Sequence, residues 1–203
     1  MVFTILPCNS TRAGAEYIGA KIILNISDED DLVYETTKFK LILLDQDNKM
    51  ISDDKYKVHI NKLEKTSVIE LANVSNAQKY NVIISYDGCL DYKNSFIADN
   101  ADDNYHDVTL YKDTFTDYAF EDKYDSLQLN AKDPCISTNI SVDKMDGFTQ
   151  TFESGDSSIA DIDNSGKVTI KKAGNVKFTA RLYKNLADGG IIYKEITKNV
   201  TME

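Results

Sequence analysis

The segment 152–180 constrains the fold of this 203-residue chain more than any other part of it. Apolar and polar residues alternate there in three short runs, which is the pattern of strands that have one buried face. The runs are 159–163, 168–170 and 176–180. Gly166 and Gly174 lie in the two gaps between the runs, and glycine adopts the positive φ of a tight turn without steric cost. The segment therefore predicts three strands joined by two tight turns, and it offers no reactive group.

The same segment resembles a bacterial immunoglobulin-like domain of group 2. The matching pieces are an aromatic residue, an alternating strand, an "sGkV" turn, a "kaG" turn and a closing strand. Here they are Phe152, 157–163, 165–168, 172–174 and 176–180. Phe152 stands where the family usually has Trp, and Ile170 stands where it often has Gly. The resemblance covers the C-terminal third and implies a spacer or adhesive module of bacterial surface or phage virion proteins, without a catalytic site.

Seven further strand candidates lie between residues 16 and 113, at the spacing typical of a β-sandwich. They are 21–27, 39–44, 56–60, 68–74, 80–86, 91–98 and 106–111. The continuous apolar run at 39–44 predicts a central buried strand. The piece 80–92, followed by Phe96, is similar to a turn of carboxypeptidase-regulatory-like sandwiches, although Cys89 stands where that family has Tyr.

These patterns predict an all-β fold made of two tandem Ig-like β-sandwiches with a short N-terminal arm. The predicted boundaries are an arm at 1–16, an Ig-like sandwich at 17–113 and a second sandwich, similar to the group 2 family, at 127–203. The charged, aromatic segment 114–126 between them is interpreted as a linker or a short helix.

The formal net charge of −10, from 23 Lys and Arg against 33 Asp and Glu, argues against nucleic-acid binding, because phosphate contacts need clustered cations. No apolar run reaches the length of a membrane span. The apolar start at residues 1–8 is short and lacks a basic region before it, so we expect a chain made in the cytosol without the usual export signal.

The three cysteines, Cys8, Cys89 and Cys135, are isolated and odd in number. There is no CxxC pair, so the sequence gives no support for a zinc or thioredoxin-like site. Reduced thiols are the preferred interpretation, and whether any of the three forms a disulfide stays open.

Acidic loops are the candidate metal sites. The loop 161–166 matches the first half of an EF-hand, but Lys172 stands where the closing Glu would be, so we predict a hairpin turn there. The loops 28–31 and 99–104 are interpreted as solvated, and whether they hold calcium stays open. The sequence thus predicts no metal site.

Neither histidine suggests catalysis. His59 lies on the polar face of an alternating strand, and His106 precedes Asp107 at the start of another. No G-x-S-x-G elbow and no glycine-rich phosphate loop accompanies them. We therefore predict no catalytic residues, no cofactor and no enzyme.

Two functions remain. The first is a structural protein of a bacteriophage virion, made in the host cytoplasm, that decorates the capsid or tail. Its arm or first sandwich would dock on the particle, for instance by adding a strand to a sheet edge, and its second sandwich would project outward. Its partners would be other virion proteins or further copies of itself, and a host-surface glycan for the projecting sandwich.

The alternative is a bacterial cell-surface adhesin or carbohydrate-binding Ig-like module. In that hypothesis Tyr86 and Tyr92, which flank the Gly88 turn, would stack on sugar. The competing interpretation, which we prefer, makes both tyrosines partly buried strand residues.

Overall fold

The computed structural model describes residues 22–28, 39–52, 57–61, 66–70, 78–98, 105–140 and 146–203. Within these ranges there are strands and no helix. The strands are β1 (Ile23–Asp28), β2 (Phe39–Leu44), β3 (Lys57–Asn61), β4 (Thr66–Glu70), β5 (Lys79–Tyr86), β6 (Asp91–Ile97), β7 (Tyr105–Leu110), β8 (Ser126–Leu127), β9 (Thr149–Ser154), β10 (Ala160–Ile162), β11 (Val168–Ile170), β12 (Gly174–Asn185) and β13 (Ile191–Met202). The predicted all-β, Ig-like sandwich fold class is confirmed.

The largest sheet has seven strands in the order β2-β5-β6-β13-β12-β9, with β8 paired to β13. Three two-stranded sheets accompany it: β1 with β7, β3 with β4, and β10 with β11. The pairing of β1 with β7 is parallel, whereas β3–β4 and β10–β11 are antiparallel.

Strand β2 corrects one prediction. Its apolar run predicts a central strand, but among the strands that the structure describes β2 stands at one end of the order of the large sheet. Leu43 points into the core and is buried, while Ile42 and Leu44 are half-buried on the opposite face. The run is continuous because both faces of this strand carry apolar side chains, and that pattern alone does not distinguish a central strand from a terminal one.

Two hydrophobic cores follow from the alternation along the strands. The first takes buried side chains from β1, β2, β5, β6 and β7, and the second takes them from residues 118–136 and from β10 to β13. In β5, for example, Tyr80, Val82, Ile84 and Tyr86 are buried while the residues between them are not. Phe115 and Phe148 are partly buried and pack against both cores.

The turns of the second core are fixed by short-range hydrogen bonds. Asp163 Oδ1 accepts the backbone N–H of Ser165 at 2.8 Å and of Lys167 at 3.0 Å. Gly166 has φ +82°, and a Cβ there would lie 2.1 Å from the carbonyl oxygen of Ile136. The predicted turn at 164–166 is therefore confirmed, and only glycine fits its third position.

The segment 114–126 contains no helix, and its aromatic side chains belong to the packing of the second core. Tyr118, Phe120 and Tyr124 are buried there. At its far end the backbone N–H of Thr201 donates to the carbonyl of Asp125 at 3.0 Å. The segment therefore lies along β13, and the predicted domain boundaries on either side of it stay predictions.

Several predicted features lie outside the described residues, namely the arm 1–16, Cys8, residues 29–31 and the loop 99–104. In the part of the chain that is described, no helix is long and apolar enough to cross a membrane.

Candidate functional site at the junction of the two cores

Strand β13 joins the two cores into one sheet. It pairs with β12 along its whole length and with β6 through Ile191↔Lys93, Ile192↔Tyr92 and Tyr193↔Asp91. Ile192 is buried in the first core, although most of β13 packs on the second. The hydrogen-bonded sheet consequently crosses from one core to the other without a break.

Tyr92 is the centre of this junction. Its side chain is fully buried, and its hydroxyl donates to Asp188 Oδ2 at 3.0 Å while accepting from Asn94 Nδ2 at 2.9 Å. A Cβ on Gly190 would lie 2.7 Å from the Tyr92 ring, so only glycine allows this approach. Burial raises the pKa of Tyr92 far above its ordinary value, and the phenol stays neutral.

A half-buried ion pair lies two residues further along β13, past Ile192. Lys194 Nζ is 2.5 Å from Asp113 Oδ2 and donates to the carbonyl oxygen of Phe115 at 2.8 Å. Asp113 Oδ1 in turn accepts the backbone N–H of Phe115 at 2.9 Å. The Lys194 ammonium and the Asp113 carboxylate therefore each have more than one partner. Together these contacts hold the start of the segment 114–126 against β13.

A small cleft of about 110 Å³ lies where the pairing between β13 and β6 ends. Its lining residues come from the β5–β6 turn, from the end of the first core and from β13; they are Cys89, Leu90, Asp91, Asp113, Tyr193, Lys194 and Glu195. The surface of the cleft is mainly polar, and Tyr193 is the one aromatic residue among the described residues that line it.

Tyr193 is half-buried on the outward face of the sheet, opposite to the cores. Burial, the largest cause, and the nearby carboxylates of Asp91 and Glu195 together raise the pKa of its phenol to about 12, while the Arg181 guanidinium opposes the shift. The Arg181 guanidinium lies 5.8 Å from the ring centroid and is 2.6 Å from Glu195 Oε2. The Tyr193 ring is thus close to two carboxylates and one guanidinium group.

The outward face continues across both cores. One row of cross-strand pairs runs Ile42↔Ile83↔Lys93↔Ile191, and a second pair, Tyr183↔Tyr193, lies beside it. None of these side chains is buried. Sequence alternation after the Gly189-Gly190 turn could have placed Tyr193 outward, but the pairing of β13 with β6 has no local signal.

The structure corrects the hypothesis that Tyr86 and Tyr92 stack on sugar. Tyr86 is 6% exposed and Tyr92 is 0% exposed, so neither can stack on a ligand. Both alternate inward along their strands, because Gly88 at φ +84° turns the chain so that β5 and β6 share one buried face. The preferred interpretation, strand residues of the core, agrees with their burial.

The two histidines lie on separate strands. His59 lies in β3 opposite Val68, as a strand residue, and its side chain is outside the described residues. The His106 ring is half-buried and lies 4.5 Å from the ring of Phe96. Burial lowers the pKa of His106, while Asp107 opposes that shift, and Nε2 is buried without a hydrogen-bond partner among the described residues.

The EF-hand-like loop 161–166 is built as a turn. The Ser165 hydroxyl also donates to Asp163 Oδ1, at 2.6 Å, which lowers the pKa of that carboxyl together with the backbone of Lys167. The oxygen that a calcium loop would direct at an ion thus receives three donors of the turn itself. Among the described residues there is no group of three or more His, Cys, Asp or Glu placed to hold a metal ion.

The two described cysteines are far apart in the fold. Cys89 is half-buried beside the junction cleft, and Cys135 is exposed next to the 164–166 turn. No disulfide links them.

No family model matches the chain, and no curated protein matches it. Among solved structures it is similar to a substructure of titin A168169, at 11% identity and a TM-score of 0.23, covering 91% of this chain and 97% of that one. It is also similar to an I-band fragment from titin, at 13% identity and a TM-score of 0.21, covering 90% of this chain and 63% of that one. Neither overlay bears on the function of the chain or on the arrangement of its strands.

Proposed function

We propose that this chain is a non-enzymatic structural protein of a bacteriophage virion, an auxiliary protein that decorates the capsid or tail. One observation supports this most: β6 and β13 make a single hydrogen-bonded sheet across two cores. Such a connection resists bending between the units, which is useful in a spacer that holds one unit away from the particle. In this proposal the first sandwich or the N-terminal arm docks and the second sandwich projects.

The ends of the large sheet suggest how docking would occur. Strand β2 stands at one end of the strand order and β9 at the other. At the β9 end an added partner strand would gain main-chain hydrogen bonds at little cost in rearrangement. At the β2 end a partner would bind through side chains, because the carbonyl oxygen of Leu43 already accepts the backbone N–H of Ile51 at 2.8 Å. Met50, which pairs with Leu44 next to β2 and is 64% exposed, would add apolar contact at the first of these ends.

The test is the composition of purified particles. Mass spectrometry of density-gradient-purified virions should detect this chain at a constant ratio to the major capsid or tail protein. Chemical cross-linking of the same particles should join lysines of the first sandwich, such as Lys40 or Lys79, to a virion protein. Recovery of the chain from a bacterial envelope fraction, and its absence from particles, would refute the proposal.

A second candidate is a bacterial cell-surface adhesin or carbohydrate-binding Ig-like module. The observation that favours it is the side-by-side position of Tyr183 and Tyr193 on the outward face, next to the junction cleft. The fractionation described above distinguishes this candidate, because an adhesin would be recovered with the envelope.

A further inference from the structure

We propose that the junction cleft binds one unit of an uncharged polysaccharide, with the outward side of Tyr193 as the surface on which the sugar ring stacks. The inference rests on the proposed function, because both candidate functions include contact with a surface glycan. It assigns that contact to the junction cleft. Tyr193, Asp91 and Glu195 carry it.

Shape supports a polymer rather than a small free ligand. A cleft of about 110 Å³ is small beside the pockets that enclose drug-sized ligands, so it would hold only part of a sugar unit. The rest of the ligand would lie on the outward face, where Ile191 and Tyr183 are half-buried and Arg181 is exposed. A chain of sugars could therefore extend along the face while one unit enters.

Two carboxylates beside Tyr193 are placed to accept hydrogen bonds from hydroxyl groups. Asp91 lies directly across from Tyr193 in the sheet, and its carboxylate is near enough to the phenol to raise the pKa of Tyr193. Glu195 holds Arg181 through Oε2 alone, with distances of 3.0 Å to Nε and 2.6 Å to the terminal nitrogen. Carboxylates accept readily from the paired hydroxyls of a sugar, and the aromatic ring covers the apolar C–H face.

Charge decides against an acidic ligand. Asp91, Asp113 and Glu195 line the cleft, and Lys194, the one cation in its lining, is already paired with Asp113. The chain as a whole has a formal net charge of −10. A uronate, a phosphate polymer or an anionic membrane would be repelled by this excess of carboxylates over cations, whereas a neutral hexose or pentose would not.

The test is affinity electrophoresis of the full chain through native gels that contain a soluble glucan, a mannan, a xylan or, as the acidic comparison, a polyuronate. We expect retardation by at least one of the neutral polymers and none by the polyuronate. Tyr193→Ala should weaken that retardation at least tenfold, and Asp91→Asn at least threefold. Tyr193→Phe, which keeps the ring, should stay within about threefold of the wild type.

The matched control is Leu129→Ala, which removes an exposed apolar side chain that is not part of the cleft lining; its retardation should stay within about threefold. The inference is overturned if no neutral polymer retards the wild type, if Tyr193→Ala binds like the wild type, or if the polyuronate binds best. It is also overturned if sedimentation shows that the wild type is a dimer that Tyr193→Ala dissociates, since a second copy would then occupy the face. Loss of binding by Tyr193→Ala with unchanged recovery in particles would separate this site from the docking proposal.

Discussion

In the first core, β1 and β7 pair in parallel although residue 23 lies beside residue 105, and the pairing runs along the full length of both strands. In the second core, β9, β10 and β11 follow each other through turns that are held by their own side chains. Asp156 and Asp163 each accept backbone and hydroxyl hydrogen bonds from the residue two positions later. The first core is thus organised by contacts between distant parts of the chain, and the second largely by local turns.

The junction of the two cores depends neither on local turns nor on contacts within a single core. It combines Tyr92 from the first core with Gly190 and Asp188 from the second, and all three depend on the pairing of β6 with β13. The difference teaches that the second core can be specified by short segments, while the connection between the cores needs both to be formed. Substitutions in the three regions should therefore have different consequences.

The largest effect is expected from Tyr92→Ala. It removes a fully buried aromatic side chain, and truncations of this size cost about 3–5 kcal/mol in the free energy of unfolding. Because the ring also contacts Gly190, the two cores should then unfold in separate transitions. Calorimetry together with urea unfolding, followed by tyrosine fluorescence and circular dichroism, measures both results.

Two variants accompany Tyr92→Ala. Tyr92→Phe keeps the ring and loses only the hydroxyl contacts with Asp188 and Asn94, so its cost should be about 1 kcal/mol. Phe178→Ala, in the second core, should cost as much as Tyr92→Ala but leave the coupling between the cores intact. If Tyr92→Ala unfolds in the same single step as Phe178→Ala, the junction does not couple the cores.

The next largest loss of stability is expected from Gly→Ala substitutions in two turns, one in each core. Gly88 has φ +84° and Gly166 has φ +82°, but a Cβ would meet no atom within 4 Å at Gly88 and would collide with the Ile136 carbonyl at Gly166. Gly88→Ala should cost about 1–2 kcal/mol, the price of the left-handed backbone. Gly166→Ala should cost about 2–4 kcal/mol, because strain and collision add. Equal urea midpoints for the two variants would contradict the close packing of Gly166.

The predictability of the fold follows the same division. The turn at 164–166 could be predicted because the Asp163 carboxylate and the positive φ of Gly166 both act within a few residues. The apolar composition of the 39–44 run predicts a central strand. Only the pairing of distant strands shows that β2 stands at one end of the described sheet. Tyr86 and Tyr92 offered aromatic side chains near a turn, but which face they occupy depends on how β5 and β6 pack.

The candidate site was the least predictable part. Tyr193, Asp91 and Asp113 are far apart in the sequence, and they meet only because β13 leaves β6 at residue 193. Nothing in the residues around any one of them signals the other two. By contrast, the burial of Phe115 and Tyr118 could have been expected from their apolar character, which a linker rarely keeps exposed.

A smaller effect is expected to distinguish two of the ion pairs of β13, Lys194–Asp113 and Arg181–Glu195. Lys194 and Asp113 are 22% and 18% exposed, whereas Arg181 and Glu195 are 44% and 37% exposed. Double-mutant cycles with Lys194→Met and Asp113→Asn should give a coupling of about 1–2 kcal/mol, because desolvation strengthens the interaction. The cycle with Arg181→Met and Glu195→Gln should give less than about 0.5 kcal/mol. A larger coupling for the second pair would show that the junction pair contributes little to holding the cores together.

The smallest effect concerns the first core alone and its dependence on pH. Burial against Phe96 lowers the pKa of His106 in the folded state, so the unfolded chain binds a proton more readily than the folded one. The contribution of His106 to stability is therefore complete above its unfolded pKa of about 6.5 and is lost as the pH falls through the lower folded pKa. The urea midpoint of the wild type should decrease as the pH is lowered from about 7 to about 5, and His106→Phe, which keeps a neutral ring against Phe96, should remove that part of the decrease. If the midpoint of His106→Phe falls as steeply as that of the wild type over this range, the acid sensitivity arises from carboxylates and His106 is not its source.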